Sequence, residues 1–291
     1  MSEELPGAPN DPMAACAREA IAQLRGRAYF ADRVDWPKVS REVLDAIDDG
    51  ADLAGALRPV WRALGDGHSH LRSARQFVDR VEPTTLPAGR RLSAGVGYLT
   101  LPGFAADYRD TAALDYVEAV WSLLREPAAG WVVDLRGNAG GSVVPMLAAI
   151  GPLLGPGGWL TYRQRGGDTQ TYRYAAGTLR INDYELLSAP DAPPDTPALP
   201  VALLTDRRTA SAAEAAVVAC RGRLHTRGFG TSTAGMSTGN VSHRLPDGSL
   251  LAIAASVAVD RHGHCYAGAV EPDAGGGLPE AHAWLTTRNP C

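Results

Sequence analysis

Two short apolar runs constrain this chain most. Gly130-Trp-Val-Val-Asp-Leu-Arg (130–136) and Val201-Ala-Leu-Leu-Thr (201–205) are too short for helices and too apolar for strands that face water. Each runs through a short turn into an apolar stretch of helical length, Val143 to Leu154 in one case and Ser211 to Cys220 in the other. A strand over 95–102 and an amphipathic helix from Tyr108 to Leu124 precede them. Buried strands alternating with helices predict an α/β core. Hairpins are expected over Thr169 to Arg180 and over Leu245 to Val259, the second turning at Pro246-Asp247-Gly248. A last helix is expected from Leu278 to Thr286.

The N-terminal part reads differently. Residues 1–12 are rich in Pro, Gly, Asn and acid and predict a disordered lead-in. Residues 13–78 carry helical spacing in short segments, including Val39 to Ile47 and Leu53 to Leu64, and predict a helical subdomain. Residues 79–291 then form the α/β core. The chain of 291 residues has room for these two parts.

Composition removes several function classes. The net charge of −4 argues against nucleic acid as a partner, and no apolar run reaches the ~18 residues of a membrane span. The acidic start, Met1-Ser-Glu-Glu, is not a secretory signal, and four scattered cysteines without a C-x-x-C pair suit a reducing compartment. The expected location is therefore cytoplasmic. Of 28 basic residues only Lys38 is lysine, so any lysine base would have to be that one.

Three segments carry candidate chemistry. In Leu203 to Glu214, Ser211 stands where a strand turns into an Ala-rich helix. Unpaired N–H groups and a positive partial charge at a helix start stabilise an alkoxide or a neighbouring oxyanion. Ser211-Ala-Ala-Glu214 is equally a capping box, with no chemistry implied. The Gly-rich turn Asp134-Leu-Arg-Gly-Asn-Ala-Gly-Gly-Ser (134–142) either presents its N–H groups to a ligand oxygen or is a plain tight connection; it lacks the lysine of a phosphate loop. Gly65-Asp-Gly-His-Ser-His (65–70) offers His68 and His70, but no further ligands at metal-site spacing, so no metal and no cofactor is implied. A histidine acting as general base on Ser211 is the other reading.

Six stretches in order resemble one family. They are Asp66-Gly-His-Ser69, Gly97-Tyr-Leu99, Asp134 to Gly141, Thr209-Ala-Ser-Ala-Ala-Glu214, Leu245-Pro-Asp-Gly-Ser249 and Ala269-Val-Glu-Pro-Asp273. Together they resemble the tail-specific, or C-terminal processing, serine peptidases, whose superfamily includes the tricorn core and the retinoid-binding repeats. The resemblance implies a crotonase-like ββα spiral core with the helical subdomain packed over it. It implies Ser211 as nucleophile, His68 as general base with His70 second, and an oxyanion hole from Ala212 with Gly140 or Gly141.

The departures are specific. The branch with a Ser–Lys pair has its lysine in a loop that here reads Gly230-Thr-Ser-Thr-Ala-Gly-Met236, without lysine. The other branch places a serine before the histidine and a glutamate before the Pro-Asp motif. Here these positions hold Gly67 and Tyr266 or Ala267, which leaves Glu271 and Asp260 as the substitute carboxylates. About twenty residues separate Leu71 from Ser93, too few for the PDZ module common in the family. The expectation is a serine hydrolase acting on a peptide or small acyl substrate. The alternatives are non-proteolytic acyl transfer, cyclisation or thioester and ester processing in biosynthesis, and an inactive ligand-binding homologue. Oligomeric state is open.

Overall fold

The computed structural model of the protein describes residues 11–74 and 85–287. The expected lead-in over 1–10 and the expected boundary at 78 lie outside the described residues. Asp11 and Pro12 are not lead-in: Asp11 Oδ1 accepts the Met13 N–H at 2.9 Å and caps a helix that begins at Pro12.

The helices, in chain order, are α1 (Pro12–Arg27), α2 (Trp36–Asp48), α3 (Leu53–Ala56), α4 (Arg58–Leu64), α5 (Thr111–Leu124), α6 (Val143–Leu154), α7 (Ala212–Cys220) and α8 (Leu278–Thr287). The strands begin with β1 (His70–Arg72), β2 (Ala88–Arg91), β3 (Val96–Thr100), β4 (Gly130–Asp134), β5 (Gly157–Gln164), β6 (Thr169–Ala175) and β7 (Thr178–Ile181). They continue with β8 (Tyr184–Ser188), β9 (Val201–Thr205), β10 (Thr226–Gly230), β11 (Thr238–Arg244), β12 (Leu250–Asp260) and β13 (Cys265–Tyr266). None of the helices is long and apolar enough to cross a membrane among the described residues.

The chain divides into two compact units. The helical unit takes the described residues 11–74 together with 164–167 and 238–257. Its core joins Leu24, Val43, Val60 and Leu64 of the helices, and Leu57 between α3 and α4, to Leu245, Leu251 and Ile253 of the β11–β12 hairpin. Alternation along β12 explains why: every second side chain of a strand shares a face, and Leu251 and Ile253 supply the apolar one. Residues 250–252 of β12 pair antiparallel with β1 on one side and with β11 on the other. Asp247 shapes the hairpin turn by accepting both the N–H and the hydroxyl of Ser249. The tip after β5 belongs here too, since Arg165 pairs with Asp32 at 3.0 Å.

The α/β unit holds the rest. One sheet runs β10-β9-β4-β3-β2, parallel except for β2. Its strands divide their side chains by parity. Trp131, Val133, Val201 and Leu203 share a core with α5, α6 and α7, whereas Val132, Ala202, Leu204 and Phe229 share one with Ala281 and Leu285 of α8. Burial on both faces is why β4 and β9 read as unbroken apolar runs. Strands β5 to β8 form an antiparallel meander, register Thr161↔Thr171 and Leu179↔Leu187. Parallel connections deliver the turns after β4 and β9 to the same end of neighbouring strands, and that end carries the candidate chemistry.

Leu203 is 2% exposed in the middle of β9, whereas Val241 is 38% exposed. Leu203→Ala should cost about 3 kcal/mol, and Val241→Ala less than about 0.5 kcal/mol, read as the shift in the urea unfolding midpoint.

Candidate active site

The turns that follow β4 and β9 are laced together. Thr209 Oγ1 donates to the Leu135 carbonyl at 2.9 Å, the Gly137 N–H donates to Asp206 Oδ1 at 3.0 Å, and the Ala210 N–H donates to the Asn138 carbonyl at 2.9 Å. Asn138 is buried and reaches both ways, donating Nδ2 to the Leu101 carbonyl and accepting the Gly140 N–H on Oδ1. Asp206 also accepts the Arg208 N–H; burial pushes its carboxyl up, but these donors outweigh burial and hold it below its ordinary range.

The lacing holds Ser211 in a conformation that a serine seldom adopts. Its backbone has φ 54° and ψ −115°, positive φ with a side chain present. Three bonds fix it: the Ser211 N–H donates to Glu214 Oε2 at 2.9 Å, the Ala213 N–H to the Ala210 carbonyl and the Ala215 N–H to the Ser211 carbonyl. This is the arrangement of a strained elbow, in which the side chain stands out from a strand-to-helix turn. Gly140, at φ 101°, packs straight against it. A Cβ there would stand 2.8 Å from Ser211 Cβ and 3.1 Å from the Ala212 nitrogen. At Gly141, φ 112°, a Cβ would run into the Phe104 carbonyl. Ser211, Ala212, Gly140 and Gly141 are thus brought together. The Gly140 N–H is committed to Asn138. Those of Ala212 and Gly141 have no partner among the described residues and remain available as donors.

Glu214 does more than cap. Its fully buried carboxylate also accepts from Thr233 Oγ1 at 2.5 Å and from the Gly235 and Met236 N–H groups at 2.9 and 2.8 Å. Burial pushes its carboxyl up against the pull of these four donors. It therefore ties residues 233–236, the loop without a lysine, to the Ser211 turn.

His68 lies in the helical unit, in the turn before β1. Asp66 Oδ1 accepts the N–H groups of His68 and Ser69 at 2.9 and 2.7 Å, and Oδ2 accepts the Ser69 hydroxyl. Asp66 thus shapes the turn, and Gly67 supplies its positive φ of 63°. The residue is 7% exposed, and its ring Nδ1 lies 2.7 Å from Oγ1 of Thr238, which is also buried. Burial, aided by nearby His70, lowers the His68 pKa from its ordinary 6.5 to about 4, despite Asp66. The ring is neutral at pH 7. In the tautomer where Nδ1 donates to Thr238 Oγ1, the Nε2 lone pair is the basic position.

The remaining candidates have other duties. The exposed His70 ring bonds through Nδ1 to the His68 carbonyl at 2.9 Å. Asp260 accepts the N–H groups of His262 and His264 and the Tyr266 hydroxyl. Glu271 accepts the Ser232 hydroxyl at 2.5 Å. Neither acid is the ring partner of His68; Thr238 is. Sequence reasoning missed Thr238 because it lies 170 residues from His68 and belongs to no motif. No cluster of His, Cys, Asp and Glu that would hold a metal occurs among the described residues.

Comparison with known proteins adds the family. The model described as Peptidase family S41 matches residues 95–275, well over half of the chain. A nisin-resistance protein from Lactococcus lactis subsp. lactis is 24% identical over 260 residues, covering 86% of this chain and 78% of that protein. A lipoprotein from Streptococcus agalactiae has the same fold, with a TM-score of 0.81 and 22% identity over 98% of this chain and 100% of that one. The photosystem II D1 C-terminal processing protease gives a TM-score of 0.61 at 14% identity, over 92% and 94% of the two chains.

An NMR titration should find the His68 ring neutral down to about pH 4, its resonances assigned by their loss in His68→Asn. Between pH 6.5 and 4 the unfolded chain takes up a proton that the folded chain refuses. Stability should therefore fall as pH drops through that window, by ~3 kcal/mol from this group, and His68→Asn should flatten the fall. A midpoint near 6.5 would contradict the burial argument.

Proposed function

This chain belongs to peptidase family S41, and on that premise we propose that it is a serine peptidase that works through an acyl-enzyme on Ser211. The observation that carries the reading is the strained Ser211 turn at the start of α7, with Gly140 packed against it. Ser211 Oγ attacks the scissile carbonyl while His68 Nε2 takes its proton. The N–H groups of Ala212 and Gly141 receive the oxyanion, because the Gly140 N–H is already committed. The C–N bond then breaks, and His68 returns the proton to the leaving amine. Water repeats the sequence on the ester and frees Ser211. In this reading the core is the crotonase-like ββα spiral of the family, and each strand-to-helix turn supplies one side of the oxyanion site.

A neutral imidazole is what a base needs at pH 7, and Thr238 takes the orienting place that a carboxylate holds in the usual triad. A hydroxyl orients the ring but stabilises the imidazolium that forms less than a carboxylate would. We therefore read the enzyme as a slow base catalyst over a wide range of pH. The peptide substrate class is supported by the family and by likeness to a protein named for resistance to nisin.

A fluorophosphonate probe should label the wild type and not Ser211→Ala. Hydrolysis of unstructured peptides should fall by about 10^4 or more in Ser211→Ala and His68→Ala. An unlabelled wild type sinks the reading, and labelling without cleavage redirects it to acyl transfer. Thr238→Val should lower kcat about tenfold, the worth of one buried hydrogen bond, while KM holds and Thr238→Ser restores most of the rate. If Val and Ser variants behave alike, Thr238 does not position the ring.

A further inference from the structure

We propose that the outer face of β5 and β6 is a binding groove for an extended acidic peptide segment carrying two carboxylates four residues apart. The groove has a volume of about 440 Å³, and its lining includes Thr161, Arg163, Thr171, Arg173, Asp260 and Arg261. Strand alternation builds it. Thr161 and Arg163 on β5, with Thr169, Thr171 and Arg173 on β6, point one way, while Tyr162 and Tyr172 point the other way onto the core. The face is therefore a run of hydroxyls between two guanidinium groups. Its middle is fixed by the Thr161 Oγ1 to Thr171 Oγ1 hydrogen bond of 2.8 Å.

The charge on this face is unbalanced. Arg163 Nη2 rests 2.8 Å from Cys265 Sγ, a weak acceptor, and neither Arg163 nor Arg173 pairs with a carboxylate among the described residues. Asp260 lines the groove, but its oxygens are taken by the His262 and His264 N–H groups and by the Tyr266 hydroxyl. The two guanidinium groups therefore leave this face positive in a chain whose net charge is −4. The planar fork of arginine matches a carboxylate through two parallel bonds.

Spacing identifies the ligand class. Arg163 stands opposite Thr169 in the register, and Arg173 lies four residues further along β6, opposite Gly158. Four residues of strand span ~13 Å. A single phosphate or free carboxylate is much smaller than this backbone offset. An extended peptide does so naturally, because its residues i, i+2 and i+4 face the same side with the same repeat. Carboxylates at i and i+4 then meet the two arginines, and a small polar residue at i+2 meets the threonine pair. Glycines at 158 and 263 keep the rim low.

Fluorescence anisotropy on the full-length Ser211→Ala protein tests this without cleavage of the probe. A fluorescein-labelled peptide containing Glu-Ser-Thr-Ser-Glu is expected to bind. Its Kd should rise at least tenfold in the Arg163→Ser/Arg173→Ser double variant, with an unchanged circular dichroism spectrum. The isomer Ser-Glu-Glu-Thr-Ser should bind at least fivefold more weakly. The proposal is overturned if the first peptide does not bind, if the two spacings bind equally, if the double variant keeps the affinity, or if inorganic phosphate displaces the peptide at equal concentration. Probe labelling of Ser211 in the wild type is read in parallel, so failure of the groove and failure of the serine mechanism give different results.

Discussion

Everything at the candidate site rests on holding one serine where a serine resists being held. A non-glycine residue outside the favoured backbone regions costs on the order of 1–3 kcal/mol, and it stays there only if its surroundings over-determine it. Here the surroundings do. Asn138, Asp206, Thr209 and Glu214 bind the turn after β4, the turn after β9 and the loop at 233–236 into one hydrogen-bonded body. None of these four needs to touch a substrate. Their task is to make the lowest free-energy state of the whole turn cluster one in which Ser211 is strained. Glycine is required at 140 because any side chain there would occupy the space beside Ser211 Cβ.

His68 follows a complementary logic. Its ring is buried, and burial rather than a partner acid decides its protonation state. A hydroxyl behind the ring sets its orientation while leaving its basicity low. The Asp66 carboxylate, so close in sequence, is spent on the backbone of the turn. Proximity in the chain was a poor guide to which group serves the imidazole.

The α/β core and the two strand-to-helix turns that meet at Ser211 were legible in the sequence because both depend on local patterns. The apolar runs at 130–136 and 201–205 announce strands buried on both faces, and Ser211-Ala-Ala-Glu214 announces a helix start. What local pattern cannot carry is contact between distant segments. Thr238 behind His68 and the reach of Glu214 to Met236 were invisible for that reason. So was the membership of the β11–β12 hairpin, which the sequence placed with the core and whose apolar side instead completes the helical unit. The acids named from the sequence as substitutes, Asp260 and Glu271, were chosen by charge alone, and their oxygens serve nearby turns.

That borrowed hairpin imposes a schedule on biosynthesis. Helices α1 to α4 are complete by residue 64, yet Leu251 and Ile253, which finish their core, emerge nearly two hundred residues later. At 5–20 residues per second the helices wait roughly 10–40 s with an open apolar side. Thr238 arrives in the same late stretch, so the His68 imidazole is made long before the hydroxyl that lies 2.7 Å from its Nδ1. The turn that holds His68 gains its buried neighbour only once residue 238 and the hairpin beyond it have been made.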